Sequence, residues 1–372
     1  MIRVDEIYNN TFWPYVKQNI PYTRVMFCDP FGHTNPENLV INGANEIGMN
    51  NYILFHDQEP IHLNIHKDLF DVVARNTVDL ENSYIDTGPQ KRAIVTSEFN
   101  SEFVDHVCMK YSWKSYYFFF HGWAALDWYR GYNKTFLITP VEKRKITKTF
   151  ITPNRIIAGE RQHRLEILYH IFKNNMINNH ISCPATCPAE NISIHDAVKP
   201  LIGKYPDIES VFAQQTLPIN FEGETDHPMH SCWLSLFDEC AESLLYLVTE
   251  TVATGRRHHI TEKTFKPIAM GMPFVIVGTK GSLEYLRSYG FRTFEGIWDE
   301  SYDYSEDEDR IKHIASLLRS IDELPPAGKQ DLFDMAQEVI EHNWNHFYNG
   351  GFETVLWNEL QQMLYQIQKD FR

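Results

Sequence analysis

The chain has 372 residues, which is long enough for two folded domains. Of these residues 43% are hydrophobic and 22% are charged, a composition that excludes a largely disordered protein. Its 34 basic and 49 acidic residues give a net charge of −15, which disfavours general coating of nucleic acid because such binding relies on a basic surface. No apolar run reaches the ~18 residues of a membrane span, and the N-terminus lacks the apolar segment of a signal peptide. With only six cysteines, these features predict a reduced, cytoplasmic setting, or the host cytoplasm for a phage-encoded protein.

In the first part of the chain, short apolar runs alternate with helical patterns, which predicts an α/β fold built on parallel sheets. Strands are predicted at Val25–Cys28, Tyr52–Phe55, Ala93–Thr96 and Tyr116–Phe120. Ligands of open α/β sheets bind beyond the carboxyl ends of the strands. We therefore expect site residues in the loops that follow these strands.

The loop after the second predicted strand offers three side chains that can take a proton. Asp57 and Glu59 are the preferred candidates for a catalytic base, and His56 is the next. Acidic residues just before a proline are also ordinary turn residues, so a structural role stays open for this loop. The alternative candidates for the base lie in Ser97-Glu98 and at Asp127.

A polar and basic stretch opened by a proline, Pro140–Lys148, is predicted to link two domains. We expect Rossmann-like domains over residues 1–148 and 149–350, and a final helix over residues 351–372 that packs back on the first domain. Helices of the second domain are predicted at Arg161–Asn174, Glu262–Met270, Ser282–Tyr289, Ile311–Ile321 and Gln330–Asn343, and strands at Phe150–Thr152, Leu244–Val248 and Phe274–Val277. The acidic run Asp303–Asp309 is predicted to be a solvated loop, because a flexible run of like charges does not fix the geometry of a metal site.

The residues from Glu250 to Lys263 form the most informative segment. Glu250 closes an apolar strand, where a carboxylate can accept hydrogen bonds from a ribose diol. Thr261-Glu262-Lys263 opens a helix with Thr261 as its N-cap, and the free N–H groups of a helix start attract phosphate. Lys263 adds a positive charge at the same place.

Arg256 and Arg257 lie in the loop between these two parts. Two guanidinium groups there can neutralise a diphosphate without a metal ion. Taken singly, each feature also has a structural interpretation, as a strand-end cap, a solvated lysine or a surface turn. The order of the features along βα units favours a nucleotide-binding site.

This segment resembles the donor-binding motif of α1,3-fucosyltransferases, and exostosin-like enzymes of the GT-B glycosyltransferase class share a similar stretch. The matching residues are Glu250, Thr261-Glu262-Lys263, the helix after them, Gly271-Met272-Pro273 and the apolar strand up to Gly278. The resemblance covers the second half of the chain, and the whole chain is similar to glycosyltransferase-like proteins of bacteria and large tailed phages. The family has an aromatic residue and Glu-Asn-Ser where this chain has Thr249-Glu250-Thr251.

The resemblance implies a GT-B architecture, in which two Rossmann-like domains face a central cleft, the first binding the acceptor and the second the nucleotide-sugar. It implies that Glu250 holds the ribose and that Lys263 contacts the phosphates. In the family an arginine of an Asn/Arg segment also contacts the diphosphate. Similar residues here are Asn154, Arg155, Arg161 and Arg164.

The implied reaction is an inverting, metal-independent transfer of a hexosyl or fucosyl group from a nucleotide-diphosphate sugar to an acceptor hydroxyl. No cofactor is expected beyond this co-substrate, and the acceptor is expected to be a glycan or another hydroxyl compound. Two alternatives are a phage-type enzyme that glycosylates a hydroxymethylated DNA base, which the net charge disfavours, and a non-catalytic nucleotide- or glycan-binding protein. A third alternative is a zinc site assembled from Cys183, Cys187, His227, His230 and Cys232. The spacing of these residues differs from that of standard zinc knuckles.

Overall fold

A computed structural model describes residues 3–28, 36–44, 49, 51–78, 90–134, 138–221 and 232–372. The chain separates into two compact units. The first unit comprises residues 1–127, 256–259 and 353–372, and the second comprises residues 128–255 and 260–352. The domain boundaries expected from the sequence, and a cleft between two domains, stay predictions.

The first unit is built on a five-stranded sheet. Its strands are β1 (Thr23–Cys28), β2 (Leu39–Asn42), β3 (Asn51–His56), β4 (Arg92–Thr96) and β5 (Lys114–Tyr117). The strand order is β2-β1-β3-β4-β5, and all neighbours are parallel except β2 and β1. Strands β3 and β4 are buried over nearly their whole length, as expected for continuous apolar runs in a covered parallel sheet. Their carboxyl ends lie side by side, so the loops after His56 and Thr96 share one edge.

The α-helices in the N-terminal part of the first unit are α1 (Trp13–Asn19), α2 (Lys67–Val78), α3 (Glu102–Tyr111) and α4 (Phe120–Trp128). Helix α3 begins at Ser101, whose hydroxyl accepts from the N–H groups of Phe103 and Val104 and so caps the first turn. The predicted strand Tyr116–Phe120 is wrong at its end, because β5 stops at Tyr117 and Phe120 opens α4. An unbroken apolar run carries no periodicity that separates a buried strand from a buried helix.

The second unit contains a four-stranded parallel sheet and a small antiparallel pair. Its strands are β6 (Lys148–Thr152), β7 (His180–Ile181), β8 (Thr186–Cys187), β9 (Ile192–Ser193), β10 (Ser243–Thr249) and β11 (Phe274–Val277). The sheet order is β11-β10-β6-β7, and β8 pairs with β9. The predictions of β6, β10 and β11 are confirmed. The central strand β10 is buried at every position, so Glu250 directly follows the core of the sheet.

Helices surround this second sheet, and most of the predicted ones are confirmed. They are α5 (His163–Lys173), α6 (Ile194–Ala197), α7 (Ile208–Ala213), α8 (Phe237–Glu242), α9 (Glu262–Ala269), α10 (Ser282–Ser288), α11 (Asp307–Asp322), α12 (Pro326–Met335) and α13 (Gln337–Tyr348). The single helix predicted over Gln330–Asn343 is wrong, because the chain there forms α12 and α13, which meet at Ala336. Over the described ranges, no helix has the length and apolar character that crossing a membrane requires.

Two polar segments of the second unit are held by buried charged side chains, and the second of them was predicted to be a solvated loop. In the predicted linker, the buried guanidinium of Arg144 donates to the carbonyl oxygens of Met270 and Gly271 at 2.6 and 2.7 Å, which fixes this stretch to the unit. In the predicted solvated acidic loop, Asp303 is buried and accepts from the N–H groups of Leu283 and Glu284 at the start of α10. Both charged side chains satisfy backbone groups that would otherwise be buried without partners.

The chain ends with α14 (Gly351–Phe371), which supplies residues 353–372 of the first unit. The ring of Trp357 contacts that of Trp123 edge-on, with centroids 5.0 Å apart. The carboxylate of Asp370 accepts from the Tyr116 hydroxyl at 2.8 Å and pairs with Lys114 at 2.5 Å. The last twenty residues therefore complete the packing of a unit that begins at the other end of the sequence.

Candidate functional site

Glu250 fixes the start of α9 in the second unit. Its side chain is buried, and its carboxylate accepts from the N–H of Thr261 at 3.1 Å and from the hydroxyls of Thr261 and Thr264, each at 2.6 Å. The N–H of Thr251 adds a bond of 3.3 Å. A carboxylate has about four acceptor positions, so these four donors use them all. The ribose-binding role of Glu250 stays a prediction, and it requires the exchange of one of these partners.

Lys263 lies in the first turn of α9 with its ammonium directed to the start of the helix. Thr261 is the N-cap, as predicted, and its hydroxyl accepts from the N–H of Lys263. The Lys263 Nζ lies 2.9 Å from a carboxylate oxygen of Glu262 and 3.2 Å from the Thr261 hydroxyl, and its side chain is one-third exposed. The ammonium and the positive end of the helix dipole coincide, which is the arrangement that binds phosphate in many proteins.

The asparagine and arginines near β6 fall into two groups. Asn154 is buried and its side chain joins Thr152 to Thr249 across the sheet. Arg164 is buried as well, and its guanidinium donates to the carbonyl oxygen of Ile156, in the loop after β6, and to those of Thr249 and Glu250 at the end of β10. Burial, followed by the positive charge of Arg161, lowers the pKa of Arg164 to about 9.

Asn154 and Arg164 therefore hold the strand ends in place. Arg155 and Arg161 are only partly buried, and their side chains keep access to solvent. Of the four residues of this segment, these two are the ones placed to meet an anion. Contact of any of the four with a diphosphate stays a prediction.

His163 is a candidate site residue that the sequence reasoning missed. It is buried at the start of α5, and its Nε2 donates to the carbonyl oxygen of Glu250 at 2.9 Å. Burial, followed by the charge of Arg164, lowers the pKa of His163 to about 3, so the ring is neutral and Nδ1 carries a lone pair. The only available signal was its position in a predicted helix start, which does not distinguish a site residue from a core histidine.

Asp57 is the most distinctive titratable group of the first unit. It directly follows β3, is buried, and accepts from the Tyr8 hydroxyl at 2.8 Å through Oδ1, while Gln58 donates to the same Tyr8 oxygen at 3.1 Å. Its Oδ2 has no hydrogen-bond partner among the described residues. Burial raises the pKa of Asp57 to about 7, although the bond from Tyr8 and the proximity of His121 oppose this shift. A carboxyl group with such a pKa can take a proton at neutral pH.

The other two predicted bases lie in different surroundings. His56 is buried against the rings of His66 and Phe70, with centroids 4.5 and 5.3 Å away, and burial lowers the pKa of His56 well below its usual range. Glu59 is exposed on the loop after β3. Geometry therefore favours Asp57 among the three.

Two histidines that the sequence reasoning did not assign to the base region lie near Asp57. His121, in the first turn of α4, donates through Nε2 to the carbonyl oxygen of Gln58 at 3.0 Å. Its ring meets that of His259 edge-on at 5.1 Å, and His259 Nδ1 lies 3.4 Å from the Ser97 hydroxyl. The carboxyl ends of β3 and β4 thus present a carboxyl group, two imidazoles and a hydroxyl at one edge.

Arg256 and Arg257 have carboxylate partners in the first unit. Arg257 is buried and its Nη1 lies 3.1 Å from Glu98 Oε1, while Arg256 is exposed and pairs with Asp105 at 2.7 Å. Glu98 also accepts from the N–H of Ile61 at 2.5 Å and from the Ser101 hydroxyl. These bonds occupy Glu98, one of the alternative bases. The diphosphate role of the two arginines stays a prediction.

The remaining alternatives have simple structural settings. Asp127 accepts from the backbone N–H of Val4 at 3.0 Å. His227 and His230, two members of the zinc alternative, lie outside the described residues. Cys187 donates to Glu190 at 2.6 Å. Within the described part of the chain, no group of three or more histidine, cysteine or acidic residues has the arrangement to hold a metal ion.

Comparisons with known proteins add little to this geometry. No protein-family model matches the chain, and no curated protein matches it. A solved structure of the DNA-modifying enzyme β-glucosyltransferase, determined with and without its substrate uridine diphosphoglucose, aligns with a TM-score of 0.33 and 13% sequence identity. The alignment covers 82% of this chain and 74% of that chain. A likeness at this TM-score carries no argument about the fold or the function.

Proposed function

We propose that this protein is a glycosyltransferase that moves a sugar from a nucleotide-diphosphate sugar to an acceptor hydroxyl. The observation that supports this most is the start of α9, where the Lys263 ammonium, the Thr261 cap and the helix N–H groups converge beside the carboxyl end of a parallel strand. This arrangement offers a diphosphate a partly exposed ammonium, which Glu262 holds at 2.9 Å, and a helix dipole, without a metal ion.

In the proposed reaction, the diphosphate of the donor binds at the start of α9. Lys263 and the helix dipole stabilise the negative charge that develops on the leaving nucleotide diphosphate as its bond to the anomeric carbon breaks. Arg155 and Arg161 supply further positive charge from the β6 segment. Glu250 positions Thr261 and so maintains the geometry of this site.

Asp57 is the proposed general base. Its free Oδ2 takes the proton of the acceptor hydroxyl while Tyr8 holds Oδ1, and the acceptor oxygen forms the new bond to the anomeric carbon. A single displacement of this kind inverts the anomeric configuration. We expect a glycan or another hydroxyl compound as the acceptor, since a chain of net charge −15 is poorly suited to DNA.

The test is thermal unfolding of the full chain with a panel of nucleoside diphosphates and nucleotide-sugars, each with and without EDTA. A ligand that binds the folded state raises the melting temperature. We expect one nucleotide to raise it regardless of EDTA, and Lys263→Ala to abolish this shift when it is measured from the melting temperature of the ligand-free variant. Lys280→Ala is the matched control, because Lys280 is an exposed lysine that pairs with Glu306.

Turnover separates an enzyme from a binding protein. With the nucleotide-sugar that binds, we expect release of the nucleoside diphosphate in the presence of hydroxyl acceptors. Binding without any release would support the non-catalytic alternative. If no nucleotide changes the melting temperature, or if Lys263→Ala and Lys280→Ala behave alike, the proposed donor site is wrong.

A further inference from the structure

A cavity of about 290 Å³ opens in the second unit between the starts of α5 and α11. Its walls include Glu160, His163, Glu166, Thr254 and Glu308. Glu250 connects the cavity to the proposed diphosphate site. Its carbonyl oxygen accepts from His163 in the cavity wall, and its carboxylate accepts from Thr261 at the start of α9. A ligand in the cavity would therefore lie next to a group bound at the start of α9.

The wall on the α11 side is held by buried hydrogen bonds. Arg310 is buried and donates to the carbonyl oxygens of Ala253 and Gly278, each at 3.0 Å, and it pairs with Asp307 at 2.9 Å. Asp307 in turn accepts from the N–H of Gly255 at 2.9 Å. This network fixes the loop after Glu250 against α11, so this wall is formed before any ligand binds.

Carboxylates are the most frequent polar groups in the lining of the cavity. Four of its lining side chains are carboxylates, those of Glu160, Glu166, Asp307 and Glu308. The one lysine of the lining, Lys204, lies 2.6 Å from Glu166 and is neutralised by it. Such a lining repels phosphate and favours an uncharged ligand rich in O–H and N–H groups.

His163 provides an independent sign of a ligand. Its side chain is 5% exposed and lines the cavity, and its Nε2 is occupied by the Glu250 carbonyl. Its Nδ1 makes no hydrogen bond with any residue that the structure describes. This nitrogen can therefore accept a hydrogen bond from a ligand in the cavity.

We propose that this cavity binds the nucleoside of the donor, with Glu160, Glu308 and His163 Nδ1 accepting from the ribose hydroxyls and from N–H groups of the base. This inference rests on the proposed function. It transfers the ribose-binding role from Glu250, whose carboxylate is saturated within the protein, to residues of α5, α11 and the turn before α5. The diphosphate then reaches the start of α9, and the cavity sets the nucleoside specificity.

The test measures the affinity of the full chain for the best nucleoside diphosphate and for inorganic pyrophosphate by calorimetry. Thr254→Trp fills the cavity from an exposed position, and Glu308→Gln removes one charged acceptor without changing its shape. We expect each variant to weaken nucleoside diphosphate binding about tenfold or more and to leave pyrophosphate binding unchanged. Glu341→Gln, an exposed glutamate on α13 outside the cavity, is the control and should behave as the wild type.

The outcomes separate this inference from the proposed function. If the nucleotide binds in a Lys263-dependent way but Thr254→Trp and Glu308→Gln do not weaken it, the donor site stands and the cavity assignment is overturned. If the wild type binds no nucleotide, both are overturned. Unchanged melting temperatures of the free variants exclude misfolding as the cause of a loss, and a loss confined to nucleoside-containing ligands supports the cavity.

Discussion

At the scale of single residues, His56 and Asp57 illustrate how burial alone assigns chemical roles. Both are buried and adjacent in sequence, yet the pKa of the histidine falls and that of the carboxyl group rises, since burial disfavours the charged form of each. At neutral pH, His56 is therefore uncharged, and Asp57 is divided between its two protonation states. Only Asp57 is suited to accept a proton and release it in each cycle.

Replacement of the proposed base should slow turnover strongly. Asp57→Asn should lower kcat about 10²- to 10⁴-fold, the usual contribution of general base catalysis, and wild-type activity should rise as pH increases through about 7. Glu59→Gln, the exposed carboxylate two residues later, is the comparison. A greater loss in Glu59→Gln than in Asp57→Asn would reassign the base.

The same substitution should change the pH dependence of stability. The folded state keeps a proton on Asp57 up to pH about 7, whereas the unfolded chain releases it near pH ~4. Between these values the folded state binds more protons, so the wild type loses stability as pH rises. From pH 5 to 8, the free energy of unfolding of Asp57→Asn relative to wild type should therefore increase by ~2 kcal/mol, measured by chemical denaturation. A constant difference would contradict the raised pKa.

At the scale of elements, the start of α9 depends on one carboxylate that collects several donors. The sequence predicted the helix, its N-cap and the preceding strand correctly, because each has a local signal. It did not predict that Glu250 reaches eleven and fourteen residues along the chain to Thr261 and Thr264. Contacts of that kind depend on the tertiary arrangement, and neither propensity nor periodicity encodes them.

Loss of the hydrogen bonds of Glu250 at the start of α9 should lower the free energy of unfolding. Glu250→Gln replaces one acceptor oxygen by an amide that cannot accept the Thr261 N–H or a hydroxyl proton, so a buried donor loses its partner. We expect a loss of about 1–3 kcal/mol in the free energy of unfolding. Thr264→Val removes a single bond to the same carboxylate and should cost less, about 1 kcal/mol. Equal or reversed losses in denaturation experiments would show that Glu250 does not organise the helix start.

At the scale of the whole molecule, the first unit is assembled from three separate parts of the sequence. The parallel sheets and the order of βα units could be predicted, since they follow from local apolar patterns. The contribution of residues 256–259 to the first unit could not be derived, whereas a final helix packing on the first domain was expected. Arg257 looked like a surface residue, and only its buried pairing with Glu98 defines its place.

The assembly from three parts predicts the behaviour of a fragment. A fragment of residues 1–148 would lack Arg257 and α14, so Glu98 would stay buried without its cationic partner and Trp123 would lose Trp357. Loss of one partner of a buried ion pair alone costs about 3–5 kcal/mol. We expect the fragment to show no cooperative thermal transition in circular dichroism. A transition at the melting temperature of the full chain would contradict this expectation.

The packing of α14 on the first unit also constrains the order of events during synthesis. Chains generally fold from the N-terminus as they leave the ribosome, at roughly 5–20 residues per second. Here the unit that contains residue 1 lacks its last helix until residues 353–372 have been translated, whereas residues 128–352 already supply the whole of the other unit. The unit whose first residues are translated earliest is therefore the one that is completed last.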